Sequence, residues 1–204
     1  MEREIIREHA DRTRSELWPE GILPINMEEV IEIRLGLEIE PIHDLLNQID
    51  MDAYLRMDLT GIVIDYDRYM KEKFSNRLRF SLAHELGHYV LHKEIYTKVI
   101  FTSPQEWKDF INYLPESEYG SFEWQANEFA GRFLVPYEEL LARVNELPEV
   151  LRQMNLLNYL EREPDAVLSR VSPFLRKPFG VSEDVIERRE GETLERTASG
   201  SLSK

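Results

Sequence analysis

The sequence predicts an α+β chain in which a small mixed sheet and an apolar helix build one core, followed by a short all-helical subdomain. Three observations carry that reading. Short segments of β-branched or alternating apolar character cluster between residues 37 and 66. A helix-compatible apolar run, Leu82, Ala83, Leu86, Tyr89, Val90 and Leu91, surrounds the polar stretch His84-Glu85 and His88. From residue 137 onward, prolines open one helical pattern after another.

Taken in order, residues 2–17 read as a helix interrupted at Trp18-Pro19, and Asn26 can cap a second helix that Gly36 stops after Leu35. Strands are expected over 37–42, 53–57 and 61–66, with Leu59-Thr60-Gly61 as the turn between the last two. A helix from about Asn76 to His92 follows. Ser103-Pro104-Gln105-Glu106 is a capping box with proline in the first turn, and it opens a helix to about Leu114. After a connector over 115–120 comes a helix containing Glu123. Beyond Pro136, helices are expected over 137–147, 148–160 and 164–175. A last one begins at Ser182, whose acidic neighbours suit a helix N-terminus. The tail over 191–204, rich in Ser, Thr and Gly, is expected to be disordered. The insertion over 93–120 could serve as a lid or as surface decoration.

The chemistry is concentrated in His84-Glu85-Leu86-Gly87-His88. Two histidines four apart lie one turn above each other on a helix, so one ion can be reached by both rings. Glu85 sits beside that face, where it can take a proton from water without occupying a coordination position. This is the H-E-x-x-H arrangement of a catalytic zinc site, and it points to a metallopeptidase. Burying two imidazoles and a carboxylate without partners would cost several kcal/mol, which a metal or a satisfied hydrogen-bond network removes.

A catalytic zinc needs a third protein ligand and an open fourth position. His92 follows His88 by one turn and about 6 Å of rise, so it reads as a supporting residue. Glu123 is the preferred ligand. Residues 123, 126, 127 and 130 share one helical face, Glu, Ala, Asn and Ala, whose small members allow close approach to Ala83 and Gly87 on the first helix. Gly87 costs about 1 kcal/mol of helix propensity relative to alanine, which a packing requirement would explain. Asn127 is then placed to hydrogen-bond a ligand histidine. Glu128, the rival ligand, points roughly 140° away from Glu123.

The run from Asn76 to Tyr89, followed by Glu123-x-x-Ala126-Asn127-x-Phe129-Ala130 and Phe133-Leu134-Val135-Pro136, resembles the ImmA/IrrE family of zinc metallopeptidases. Val135 stands where that pattern usually has Met. The resemblance implies a zincin-like fold and one catalytic Zn2+ held by His84, His88 and Glu123, with Glu85 as the base. It also implies that the strand at the sheet edge, 61–66 or its neighbour, pairs with extended substrate. Better understood members cleave helix-turn-helix repressors and so relieve repression, while others accompany toxin-antitoxin or mobile-element genes. Residues 1–136 are accordingly expected to form the peptidase domain. Residues 137–190 would form a helical subdomain similar to one that follows the peptidase core in relatives.

Composition narrows the partners. The 204 residues are 42% hydrophobic, enough for one full core and a smaller appended unit. No stretch approaches the ~20 apolar residues of a membrane span, and the N-terminus lacks an apolar signal core, so a cytoplasmic protein is expected. The absence of cysteine excludes thiolate ligation and leaves histidine and carboxylate as strong zinc ligands. A net charge of -14 argues against direct nucleic-acid binding and favours a basic protein partner. Acidic residues also outnumber basic ones over 137–190, so that part reads as a protein contact.

The expected function is a zinc metalloendopeptidase making a site-specific cut in a protein partner, a helix-turn-helix repressor. The alternative is a non-catalytic regulatory protein that sequesters a repressor or a toxin-antitoxin partner. Tyr89, Tyr113, Tyr119 and His92 are the residues offered as an additional oxyanion donor, and the sequence does not separate them.

Overall fold

The computed structural model describes residues 1–98, 115–159 and 162–189. They fall into two compact units, Met1–Ile22 with Asn26–Phe133, and Leu23–Ile25 with Leu134–Lys204. The helix expected over 103–114 and the tail from Gly191 lie outside the described residues, as does most of the 93–120 insertion.

The first unit opens with α1 (Arg3–Leu17), which buries Ile6 and Ala10. Asn26 caps the next segment as its sequence suggests, its Oδ1 accepting from the Glu29 amide at 3.3 Å. The segment Glu29–Arg34 is nevertheless wound as a π-helix. Its last turn closes with the Leu35 amide on the Val30 carbonyl, five residues back, and Gly36 ends it at φ +68°.

Strands β1 (Glu38–Ile42), β2 (Ala53–Leu55) and β3 (Gly61–Asp65) form one mixed sheet in the order β1-β3-β2. β1 runs parallel to β3, and β2 pairs with it antiparallel, Tyr54 opposite Val63. The α+β expectation with a small mixed sheet therefore holds. β3 is buried along its whole length, as a Gly-Ile-Val-Ile run in the middle of a sheet should be. It is thus not the edge that the 61–66 expectation named first. Its neighbours β1 and β2 are the edges of this sheet. Gly61 is required where β3 meets β1, since a Cβ there would stand 2.5 Å from the Glu38 carbonyl oxygen.

A short helix that the sequence did not announce, α2 (Leu45–Ile49), links β1 to β2, and α3 (Tyr66–Tyr69) follows β3. Asp65 at the end of β3 ties both down. Its carboxylate accepts from the Leu46 amide at 3.1 Å and from the Arg68 amide at 2.9 Å. Asp52, just before β2, is held by Arg68 and Arg77 at 2.5 and 2.6 Å. The loop entering β2 is therefore fixed from two sides.

Helix α4 (Ser75–Leu91) packs against β2, and α5 (Lys93–Lys98) begins directly after it. α6 (Glu116–Leu134) lies against α4 through a face of small residues. Ala83, Ala126 and Ala130 are fully buried, with Phe129 and Phe133 stacked 5.8 Å apart beside them. At Gly87 a Cβ would meet the backbone of Ala126 at 3.1 Å, so glycine is what permits the two helices to approach this closely. Glu128, on another face of α6, turns to α1. It accepts from Arg7 at 2.9 Å and faces Arg3 at 3.8 Å.

In the second unit α7 (Tyr137–Gln153) runs unbroken through Pro148, where the sequence had suggested one helix ending and another beginning. Proline there removes one backbone donor, yet the helix continues because residues on both sides share its apolar face. α7 packs on α8 (Pro164–Arg176) around Leu151, Leu156, Val167 and Val171. Phe179, Val181 and Ile186 are also buried.

Candidate metal centre

Within the first unit, α4 and α6 bring His84, His88 and Glu123 together, with one ligand atom of each lying within 4.8 Å of the others. The His84 and His88 Nε2 atoms are 3.0 Å apart. Glu123 places Oε2 at 3.1 Å from His84 Nε2 and Oε1 at 3.6 Å from His88 Nε2. Ligands about 2.0–2.1 Å from a tetrahedral zinc are separated by roughly 3.3 Å, so this triangle fits such an ion. Two imidazoles and one carboxylate are also the donor set of a hydrolytic zinc site.

The rings are held from behind. His84 Nδ1 lies 3.1 Å from Asn127 Oδ1, one turn along α6 from Glu123. With Nδ1–H donating to that amide oxygen, the Nε2 lone pair is left for the centre. His88 Nδ1 lies 2.9 Å from His92 Nδ1. Phe122 stacks on His92 at 4.0 Å and tilts against His88 at 4.5 Å.

Glu85 stands beside the triangle without joining it. It is 7% exposed, and its Oε2 accepts from the Leu55 backbone amide at 2.8 Å. Burial pushes its carboxyl up to about 7, with the charge of Glu123 adding to the effect and His84 and the Leu55 amide opposing it. His84 behaves differently. Burial works against its charged form, but the hydrogen bond to Glu123 and the carboxylates of Glu85 and Glu123 prevail, so its pKa is raised. His88 is held well below the usual range by burial and by the neighbouring His84 and His92. Burial likewise takes His92 down to about 4.

A cavity of about 330 Å³ opens over these groups, walled by the loop entering β2, by Tyr54 and Phe80, and by Tyr96. Asn127 also reaches it, whereas Tyr89 is turned toward Lys93 and is not among the lining residues. Tyr96 is the group that the sequence did not single out. It is 5% exposed, and its hydroxyl is near enough to Glu85 and Glu123 for their charges to raise its pKa well above the usual value, after burial itself. It lies eight residues beyond His88, on α5, and helical periodicity along α4 carries no information about a helix that starts after a break at His92. Tyr113 and the side chain of Tyr119 lie outside the described residues.

The edge strand β2 borders the same cavity. The Asp65 amide donates to the Asp52 carbonyl and the Arg56 amide to the Gly61 carbonyl, so even-numbered residues of β2 face β3. Ala53 and Leu55 therefore turn their backbone groups outward. Glu85 uses the Leu55 amide, which leaves the Ala53 amide and carbonyl on the open edge.

Among the described residues, no helix is long and apolar enough to cross a membrane. No curated protein matches the sequence. A solved structure of a Mycobacterium tuberculosis transcriptional regulator aligns with 90% of this chain and 45% of that one, at 16% identity and a TM-score of 0.49. This chain thus spans less than half the length of that protein. The family described as the IrrE N-terminal-like domain, a peptidase family, matches residues 69–189, a span that includes α4, α5, α6 and the helices after them. That match covers more than half of the chain and contains every donor of the triangle, and the protein belongs to the IrrE N-terminal-like family of metallopeptidase-type proteins, with a zincin-like α+β core.

Proposed function

We propose that this protein is a zinc-dependent endopeptidase that makes a site-specific cut in a helix-turn-helix transcriptional repressor. The observation that carries the reading is the position of Glu85. A structural zinc site has no use for a buried carboxylate beside three converging donors, whereas a hydrolytic one requires a base there. His84, His88 and Glu123 would hold the metal, with Asn127 orienting His84. Bound zinc would supply Lewis acidity, polarising the scissile carbonyl and acidifying the attacking water.

The chain's own groups do the rest. Leu55 fixes one oxygen of Glu85 and leaves the other to take the water's proton, which Glu85 then delivers to the departing amine. Burial raises the proton affinity of Glu85 in the metal-free protein, and the charge of a bound ion would lower it toward the ionised form that a base requires. The Tyr96 hydroxyl, on the cavity wall, donates to the carbonyl oxygen as negative charge develops. An extended substrate segment adds to the open edge of β2 through the Ala53 amide and carbonyl, which sets the scissile bond beside the triangle. A net charge of -14 suits a basic DNA-binding protein as the substrate and repels nucleic acid itself.

The test is incubation with helix-turn-helix repressors of the same genome, any encoded beside this gene first, with zinc or with chelator, followed by intact-mass analysis. A single zinc-dependent cut is expected, reduced about 10²–10⁴-fold in Glu85→Gln. Tight binding with no cut in any condition would make the protein a sequestering regulator instead.

A further inference from the structure

We propose that His92 is the positioning residue that selects the ligating form of His88, holding its ring so that an unprotonated Nε2 faces the metal. The inference rests on the zinc reading above and concerns a residue that reading does not use.

The Nδ1 atoms of His88 and His92 face each other at 2.9 Å, so only one of the two can carry a hydrogen. Two arrangements satisfy the contact. If His88 donates, its hydrogen sits on Nδ1 and the Nε2 lone pair points at His84 Nε2 and Glu123. If His92 donates, a neutral His88 carries its hydrogen on Nε2, and ligation through that atom is blocked.

The far side of His92 agrees with the first. Its Nε2 lies 3.4 Å from Gln125 Oε1, which only accepts, so the single hydrogen of a neutral His92 belongs on Nε2 and its Nδ1 becomes the acceptor. Gln125 Nε2 in turn donates to Ser121 Oγ at 3.1 Å, and a His88 that ligates through Nε2 must carry its hydrogen on Nδ1, which requires the same direction. Hydrogen bonds then run in one direction, from His88 to His92 to Gln125 to Ser121. Phe122 stacks on His92 and tilts on His88, which fixes both ring planes.

A ligand histidine most often donates its second nitrogen to a carboxylate or a carbonyl. A neutral imidazole does the same task without adding negative charge to a centre that already holds Glu85 and Glu123. α6 therefore supplies one ligand, Glu123, and the backing for both histidines, Asn127 behind His84 and Gln125 behind His92.

The experiment uses the full chain with zinc alone as the probe. Zinc affinity is measured by competition with a chelator, and the ring protons are read by long-range ¹H–¹⁵N NMR of the metal-free protein, because bound zinc would itself force the His88 hydrogen onto Nδ1. His92→Phe keeps a ring on Phe122 and removes the acceptor, so its affinity should fall about 10–100-fold. His92→Asn offers Oδ1 at the place of Nδ1 and should recover most of that loss. In wild type the His88 hydrogen should sit on Nδ1 and that of His92 on Nε2. Unchanged affinity in a folded His92→Phe protein, or a His88 hydrogen found on Nε2, would overturn the proposal. The wild-type spectrum decides even if His92→Phe does not fold. Failure of the wild type to take up zinc would instead remove the metal reading, and this inference with it.

Discussion

The backbone amide of Leu55 donates a 2.8 Å hydrogen bond to Glu85 Oε2, so the edge strand β2 and the helix α4 meet at the proposed catalytic base. One contact thereby sets two things. It orients the carboxylate, and it withdraws one outward-facing amide from the strand edge, so that a substrate segment has Ala53 to pair with.

Burying Glu85 costs the metal-free protein stability at neutral pH. Its pKa is raised from 4.5 to about 7, so the unfolded chain releases this proton more readily than the folded one. For a carboxyl shifted upward, its stabilising contribution is complete below about pH 4.5 and is lost as pH rises through about 7. The loss approaches roughly 3 kcal/mol at pH 8. Glu85→Gln, unfolded in denaturant with chelator present, should therefore gain up to about 3 kcal/mol at pH 8 and under about 1 kcal/mol at pH 5. An equal change at both values would mean that ionisation of Glu85 is not the cause.

Two neighbouring glutamates on α6 should behave oppositely when replaced by alanine. Glu128 is nearly buried and paired with Arg7 at 2.9 Å, so its loss removes one of the acceptors of that guanidinium, which Glu4 still faces at 3.5 Å, and should cost about 1–3 kcal/mol of folding free energy. Zinc affinity should not change. Glu123→Ala should do the reverse, abolishing zinc uptake with little effect on the stability of the metal-free protein. Paired denaturation and zinc-competition curves separate the two.

Gly87→Ala sets two effects against each other. Alanine is worth about 1 kcal/mol in helix propensity. The added methyl, however, meets the Ala126 backbone at 3.1 Å and Phe129 at 3.2 Å, and backbone yields less readily than a side-chain tip. A net loss of about 1 kcal/mol is expected. Because α4 and α6 carry the donors separately, zinc affinity should fall as well. A stabilised variant with unchanged zinc binding would show that the contact relaxes freely.

Ala53→Pro removes the outward amide of β2 while leaving the bonds from β2 to β3 intact, as proline is tolerated on an edge. One lost hydrogen bond, about 1 kcal/mol, should raise KM for the cleaved repressor about fivefold and leave zinc content unchanged. An unaltered KM would place the substrate elsewhere.

How far the sequence could be read follows from where the information lies. The spacing of His84 and His88 is local, and so is the small-residue face of Ala126 and Ala130, so periodicity on each helix sufficed to bring α4, α6 and Glu123 together. The direction of Glu128 was legible for the same reason, although its partner on α1 was not. Tyr96, Gln125 and the Leu55 amide were missed because each depends on how separate segments meet. No pattern within α4 tells where α5 turns or which strand borders the site. The order β1-β3-β2 was hidden too, since a parallel pairing between β1 and β3 skips the strand between them in sequence. Pro148 misled in the opposite direction, because a strong local breaker is overridden where both halves of α7 share one apolar face.

The most direct test is native mass spectrometry after addition of one equivalent of zinc and removal of unbound metal. Wild type, Glu85→Gln and Glu128→Ala should each retain one ion per chain, and His84→Ala, His88→Ala and Glu123→Ala should retain none. Full zinc occupancy in Glu123→Ala would contradict the three-residue centre on which the account rests.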